Sequence, residues 1–427
     1  MKRFFVFSLI LLTACSLVFA GGSSSSSSVK VLRMGDNSPD RNSGYGAALD
    51  KINAEFEAAN PGVLLQVESL RDQPWQDKVM VYANAKILPD VFTYWTFPNM
   101  MLPLVNAGLL EPLNKSDLAS AGFLPGSLEA SEYNGKIYGI PKSADTWVLF
   151  VNKDLFQKAG VPIPTSWEDI VASVPKFKAI NVAPITTNGM DGWPLAILFH
   201  NLVERFSGDF TMVTKAVSRQ GGVKFTDAGF VQAAKYIQDL VKAGVFSSDM
   251  MTSDYDAGKN GFTQGRSAMY MMGPWEMGME TDTSLTQAFR SNLDVIGIPV
   301  VAGGKGKVTD IMAWYGGNIV IASSKNKDLA ASYIKFLAQR WGSYIWEAGA
   351  LPAQKVSPRA SDGPVARKIL QVVGDATATS GTTVNDLGNS VFKGDCEELV
   401  RQLFSLLITP EQFCQRLDAS AQTNAGK

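Results

Sequence analysis

From Val31 onward, short apolar runs alternate with stripes of apolar residues at helical spacing, a pattern that few architectures accommodate. Val31-Leu32-Arg33-Met34 ends at Gly35-Asp36-Asn37; Leu49, Ile52 and Phe56 then recur as one helix face until Asn60-Pro61-Gly62 stops it. Val63 to Val67 reads as the next strand. Thr165 and Glu168 form a capping-box pattern ahead of Ile170, Val171, Val174 and Phe177, which predicts a helix from Ser166. Phe230, Ala234, Ile237 and Val241 repeat the stripe, and Ala330, Tyr333, Ile334 and Leu337 do so directly after the apolar run Asn318 to Ala322. Strand and helix in alternation predict an α/β protein. No Pro-rich linker or shift in composition divides the interior, so two lobes, if present, must be joined by short strands that the chain crosses more than once.

At 427 residues the chain has room for two or three domains. Its 39 basic side chains against 40 acidic ones supply none of the phosphate attraction that nucleic-acid binding draws on, so no nucleic-acid partner is expected. A single histidine, His200, excludes sites that need two imidazoles from one chain, and its place in the apolar stretch Leu195 to Val203 reads as a helix-core position. No metal or cofactor is called for.

Lys2 and Arg3 followed by the apolar stretch Phe4 to Leu12 read as a secretory signal peptide over residues 1–20, with cleavage after Val18-Phe19-Ala20. Leu12-Thr13-Ala14-Cys15 offers the rival reading of a lipoprotein box. The first is preferred because Ser16 to Ala20 is still largely apolar. Residues 21–28, with six consecutive serines, read as a flexible Gly/Ser linker. No later segment is long and apolar enough to span a bilayer. Cys396 and Cys414, each on a predicted helix, read as two buried thiols, with a disulfide as the alternative.

Asn134-Gly135, flanked by β-forming residues, predicts a tight hairpin. Four segments in order then become specific: NGKIYGIP from Asn134, LFVNKDLFQKAGVPIPTSWEDI from Leu149, FTQGRSAMYMMGPWE from Phe262 and GGNIVIASSKNKDLAASYIKFL from Gly316. Together they resemble the ordered signatures of the extracellular solute-binding proteins of bacterial ABC sugar importers, family 1, to which the maltose-binding proteins also belong, over about residues 30 to 415. The resemblance implies a two-lobed periplasmic-binding-protein fold with three inter-lobe crossings and a ligand cleft between the lobes. By motif position the crossings fall near Tyr138 to Pro141, near Ile298 to Val301 and near Trp341. The N-terminal lobe is then 29–139 plus 302–340, and the C-terminal lobe 140–301 plus 341–427. It further implies a monomeric, non-enzymatic receptor, periplasmic or tethered at the outer face of the cytoplasmic membrane, that passes a carbohydrate to ABC permease subunits.

A neutral sugar presents an apolar face of ring C–H groups and a rim of hydroxyls, so aromatic plates and carboxylates in loops after strands are the residues to seek. Trp275 and Glu276 follow the strand-like Ala268 to Met272 across Gly273-Pro274, and Trp275 matches the family position that stacks on sugar. Trp193 and Asp191 lie in the turn-rich Gly189 to Pro194, although Asp191 serves equally well as a helix cap. Asp145 precedes the strand-like Trp147 to Val151, Asp36 ends the first strand, and Trp95 follows Asp90 to Tyr94. Trp314 precedes Gly316-Gly317, where Gly317 would let the backbone approach a ligand. Trp147, Trp167, Trp341 and Trp346 read as core, and Trp75 is left open. Two rival readings keep other chemistry in play. Asp145 with Glu276 would make the carboxylate pair of an exported glycoside hydrolase, and Arg41 and Arg71 would serve a sugar acid, a glycerol phosphate or a peptide.

Overall fold

In the computed structural model, which describes residues 29–424, the first apolar run forms strand β1 (Lys30–Asp36) and the stripe behind it forms helix α1 (Gly44–Ala59), with Ala48, Leu49, Ile52 and Phe56 turned inward. The expected signal peptide and serine linker lie outside the described residues. β2 (Val63–Ser69), α2 (Asp72–Ala85), β3 (Val91–Tyr94) and β4 (Leu110–Glu111) follow. The chain continues through β5 (Gly139–Thr146), β6 (Val148–Asn152), α3 (Trp167–Ala179), β7 (Ala183–Thr186) and α4 (Trp193–Ser207). After α5 (Tyr255–Thr263) come β8 (Ser267–Met272), β9 (Leu293–Gly297) and β10 (Ala313–Ala322), then α6 (Trp341–Glu347), α7 (Pro364–Gly374) and α8 (Ser390–Phe404).

Two sheets result. The first runs β2-β1-β3-β10-β4, with β5 also on β10; β1 lies parallel to β2 and β3, as helical connections require. Helices cover both faces: Leu32, Leu49 and Ile334 pack on one, and Trp75, Phe92 and Met101 on the other. The second sheet runs β9-β6-β8-β7 and sits in one continuous core that includes Phe150, Leu198, Phe230 and Phe413. The protein is therefore a two-lobed α/β molecule of the periplasmic-binding-protein kind. Among the described residues no helix is long and apolar enough to cross a membrane.

The crossings lie elsewhere than their motifs placed them. β5 and β10 form one antiparallel ribbon, from Gly139 opposite Val320 to Thr146 opposite Ala313, and the chain changes sheets at Trp147 rather than near Tyr138 to Pro141. Residues 302–312 stay with the second lobe rather than joining the first. The buried Arg205 guanidinium donates to the carbonyls of Ile298 (2.9 Å), Pro299 (3.2 Å), Lys307 (2.5 Å) and Asp310 (2.7 Å) and holds that loop against α4. The third expected boundary, Trp341, also shifts. Its indole donates to the Lys142 carbonyl (2.8 Å), Trp341 and Ile345 pack in the first lobe's core, Trp346 and Leu351 already pack in the second's, and α7 then packs on β9.

Two local readings are refined. Asn134 and Gly135 both have positive φ (51° and 73°) in a two-residue turn between Tyr133 and Lys136, as expected of Asn-Gly. The capping box on α3 is one residue later than Thr165 and Glu168. Ser166 is the extended residue, its hydroxyl accepts the Asp169 N–H (3.1 Å), and Asp169 accepts the Ser166 N–H (3.0 Å). Glu168 is thereby free to accept from the Tyr236 hydroxyl (2.8 Å). Cys396 and Cys414 are free buried thiols, with burial pushing Cys414 up to about 12.

Candidate functional site

Where the lobes meet, a cleft opens between the β5–β10 ribbon, the start of α2 and the turn after β8. β8 ends in Gly273-Pro274, and the Trp275 ring folds back over Gly273 so closely that a Cβ there would stand 2.1 Å from the indole. Glycine is thus what lets Trp275 lie flat against the strand end. Trp193 opens α4, and Trp147, at the sheet change, lies behind both: its ring centre is 5.7 Å from that of Trp193 and 6.2 Å from that of Trp275. Trp314, on the ribbon, continues the run at 6.4 Å from Trp275, and Trp95 lines the first lobe's side. Trp95, Trp193, Trp275 and Trp314 are half-buried, each with ring surface left to offer. Trp147, Trp167, Trp341, Trp346 and Trp75 are buried core, and the Trp75 indole donates to the Thr93 carbonyl (2.7 Å).

On the ribbon, Asp145 and Lys142 face the same space. Asp145 is buried, accepts from the Ser143 hydroxyl (3.0 Å) through Oδ2, and leaves Oδ1 without a hydrogen-bond partner. Burial pushes its carboxyl up and, in the same way, pulls the Lys142 ammonium down. Lys142 donates to Asn37 Oδ1 (2.9 Å) and lies 4.2 Å from the Tyr45 ring centre. Gly316 and Gly317 serve these two side chains: a Cβ at Gly316 would fall 1.8 Å from Asp145 Oδ2, and Gly317, at φ 63°, backs onto Lys142. Gly317 does line the cleft, but the glycine pair makes room first for the protein's own charged groups.

Glu276 also lines the cleft. Its carboxylate is spent on Tyr255 Oη (2.5 Å) and Lys259 Nζ (2.9 Å). Asp36 does not reach the cleft, contrary to its place at a strand end. It is fully buried, and it accepts from the Ser38 N–H (2.8 Å), the Ser69 hydroxyl (2.5 Å) and Arg41 (2.8 Å), organising the loop after β1. Asp191 likewise stands behind the lining, accepting from Asn188 Nδ2 (2.6 Å), and caps no helix, since Gly192 precedes α4 with no side-chain bond. His200 is buried on α4 with Nε2 at 3.2 Å from Glu204, away from the cleft lining.

The cleft carries more charge than its loops foretold. Arg71, Lys142, Lys259 and Lys393 face Asp40, Asp72, Asp145, Glu276 and Asp386. Arg71 pairs with Asp256 (2.8 Å) and Lys393 with Glu397 (2.5 Å), so Lys142 is the only cleft cation without a carboxylate in ion-pair reach among the described residues. Among the contacts that bridge the lobes, three cross the cleft: Arg71 to Asp256, Lys259 to Asp40 (3.6 Å), and the Trp193 indole N–H to Asp72 Oδ2 (2.9 Å). Sequence reasoning missed Tyr255, Lys259 and the Thr383, Asn385, Asp386 and Lys393 wall; for the last, the only signal was a turn-rich run, Gly381 to Asn389, ahead of a helix.

A profile of bacterial extracellular solute-binding proteins matches residues 40–340. The chain belongs to this family. Among the relatives of this solute-binding protein, a binding protein of Brucella abortus is 25% identical over 321 residues, 73% of each chain. A galactooligosaccharide-binding protein of Bacillus subtilis is 26% identical over 251 residues, 56% of this chain and 54% of that one. A structure from work on xylan utilization by Caldanaerobius polysaccharolyticus superposes at a TM-score of 0.82 with 27% identity, covering 91% of this chain and 99% of that one. The Brucella and Bacillus relatives are binding proteins, and the family is one of binding proteins, not of glycoside hydrolases.

Proposed function

We propose that this solute-binding protein is the exported receptor of an ABC importer, that it captures a neutral sugar or oligosaccharide by lobe closure, and that it hands the sugar to membrane permease subunits. The observation that carries the reading is the run of half-buried tryptophans in a cleft whose cations, Lys142 excepted, are already paired. Trp275, Trp193, Trp95 and Trp314 stack on sugar faces. The free Oδ1 of Asp145 accepts a hydroxyl, and Glu276 and Gly317 shape the wall beside it. An anionic ligand would draw on several cationic groups, and of the four in the cleft Arg71, Lys259 and Lys393 are committed to carboxylates, which leaves only Lys142, already donating to Asn37. The galactooligosaccharide receptor and the protein from xylan utilization, both similar to this chain, support an oligosaccharide over a monosaccharide.

The lobes act as one monomer, with the N-terminal lobe made of residues 29–146 plus 313–355 and the remainder forming the second. Residues 1–20 direct export, to the periplasm or to a tether on the outer face of the cytoplasmic membrane. A thermal-shift screen of xylo-, galacto- and malto-oligosaccharides, repeated with galacturonate and glycerol phosphate, tests the reading. A ligand at 100 times its Kd adds about 2.7 kcal/mol to native stability, so a neutral oligosaccharide should raise the melting temperature in a concentration-dependent way. Response to the anions alone would overturn the assignment.

A further inference from the structure

We propose that Asp72, on the first lobe, is the positioning residue for Trp193, on the second, so that this indole is set as a plate for the ligand only when the lobes are together. The inference rests on the reading of Trp193 as a sugar-stacking residue. Trp193 is the first residue of α4 and follows Gly192, which turns the chain into the helix at φ 80°. Its ring touches Trp147 edge-on and Trp275 at a tilt of 53°, apolar contacts that leave its N–H to be satisfied elsewhere. The indole has one polar atom. That N–H crosses the cleft to Asp72 Oδ2 at 2.9 Å.

Asp72 has no other use among the described residues. It makes no ion pair, and the indole is the sole hydrogen-bond partner of its side chain. It opens α2 beside Arg71, which pairs with Asp256 and lies 5.1 Å from the Tyr255 ring centre, so one helix corner grips the second lobe at two points. The charged groups facing Asp72 are Asp191 in the turn ahead of α4, Lys393 and Glu397 on α8, and Lys142 on β5. Loss of solvent in the closed cleft, with Asp191 adding to it, pushes the Asp72 carboxyl up to about 6. Parting the lobes returns it toward the ordinary aspartate value of about 3.9. The closed form therefore takes up a proton between those values, and closure gains as the pH falls through about 6. An Asn at 72 still accepts the indole N–H but cannot titrate.

The test is the indole N–H spectrum of the full chain labelled with ¹⁵N-tryptophan, recorded from pH 4.5 to 8 with and without saturating xylotetraose, with Trp193→Phe assigning the signal. In the wild type the Trp193 signal should move with a midpoint near 6 and exchange slowly with solvent. Asp72→Asn should keep the slow exchange and lose the movement, while Asp72→Leu should lose both, with exchange rising roughly tenfold or more. Calorimetry with xylotetraose should show about tenfold weaker binding in Asp72→Leu, mostly recovered in Asp72→Asn. A Trp193 signal indifferent to Asp72→Leu under both conditions, or one that still titrates in Asp72→Asn, overturns the proposal. If Asp72→Leu does not fold, the Asp72→Asn titration decides alone. If xylotetraose fails to bind the wild type, that counts against the choice of sugar, and the indole signals still settle the positioning.

Discussion

Trp275 shows how much of a binding surface rests on one side chain and the small residue beside it. Its ring occupies space that only Gly273 leaves open, and it touches Trp193 and Trp314 as well as the buried Trp147. Removing it takes away the middle plate of the run. Trp275→Ala should weaken sugar binding by about 2 kcal/mol, roughly 30-fold, as expected for an interfacial aromatic anchor. Calorimetry against the best ligand from the thermal screen measures this, and an unchanged amide spectrum shows that the fold survives. The carboxylates were harder to read. A strand-end Asp has three common uses, which are ligand contact, turn organisation and capping, and composition does not separate them. Asp145 stands out in the sequence because it precedes a strand-like run at a position that matches a cleft acid of the family; Asp36, which stands out because it ends a strand, is consumed by Ser38, Ser69 and Arg41.

Among the elements, α3 and α2 differ in what their first turns do. In α3 the Ser166–Asp169 box closes the helix on itself. Ser166→Ala should cost about 1 kcal/mol of stability, in the usual range for a lost cap, visible as a lower urea midpoint with sugar affinity unaltered. In α2 the first turn has no side-chain cap bond, and Arg71 and Asp72 reach across to the other lobe instead. Helix positions were readable from apolar spacing because burial of one face sets that spacing. The direction of a polar first-turn side chain depends on what lies opposite, and neighbours in sequence do not report it.

The whole molecule is two cores joined by a ribbon and one return strand of chain, with polar contacts bridging the cleft. Ligand binding and closure are then coupled: a sugar that touches both walls favours the closed form by the difference in its affinity for the two states. The Arg71–Asp256 pair is partly exposed and worth about 0.2–1 kcal/mol. Arg71→Ala should therefore weaken sugar binding by no more than about fivefold, while small-angle scattering of the sugar-free protein shows a larger radius of gyration than wild type. Saturating sugar should bring the two radii together.

Alternating strand and helix patterns, four ordered motifs and the placement of tryptophans after strands were properties of the sequence alone. The periodic patterns determined the α/β class, because backbone hydrogen bonding and burial act locally and leave a periodic record; the two-lobed fold followed from the family resemblance that the four motifs carry, and the cleft tryptophans from that resemblance and their places after strands. The lobe boundaries were decided by tertiary structure: Arg205 gathers four carbonyls of residues 298–310 onto α4, and Trp341 reaches back to Lys142, pairings that span the chain and leave no periodic trace. The charge of the cleft was decided there too. Lys259 becomes neutralised lining only when Glu276, after β8, is packed beside it, whereas Lys393 and Glu397 pair at i,i+4 spacing on α8 and reach the cleft only because that helix is packed against it.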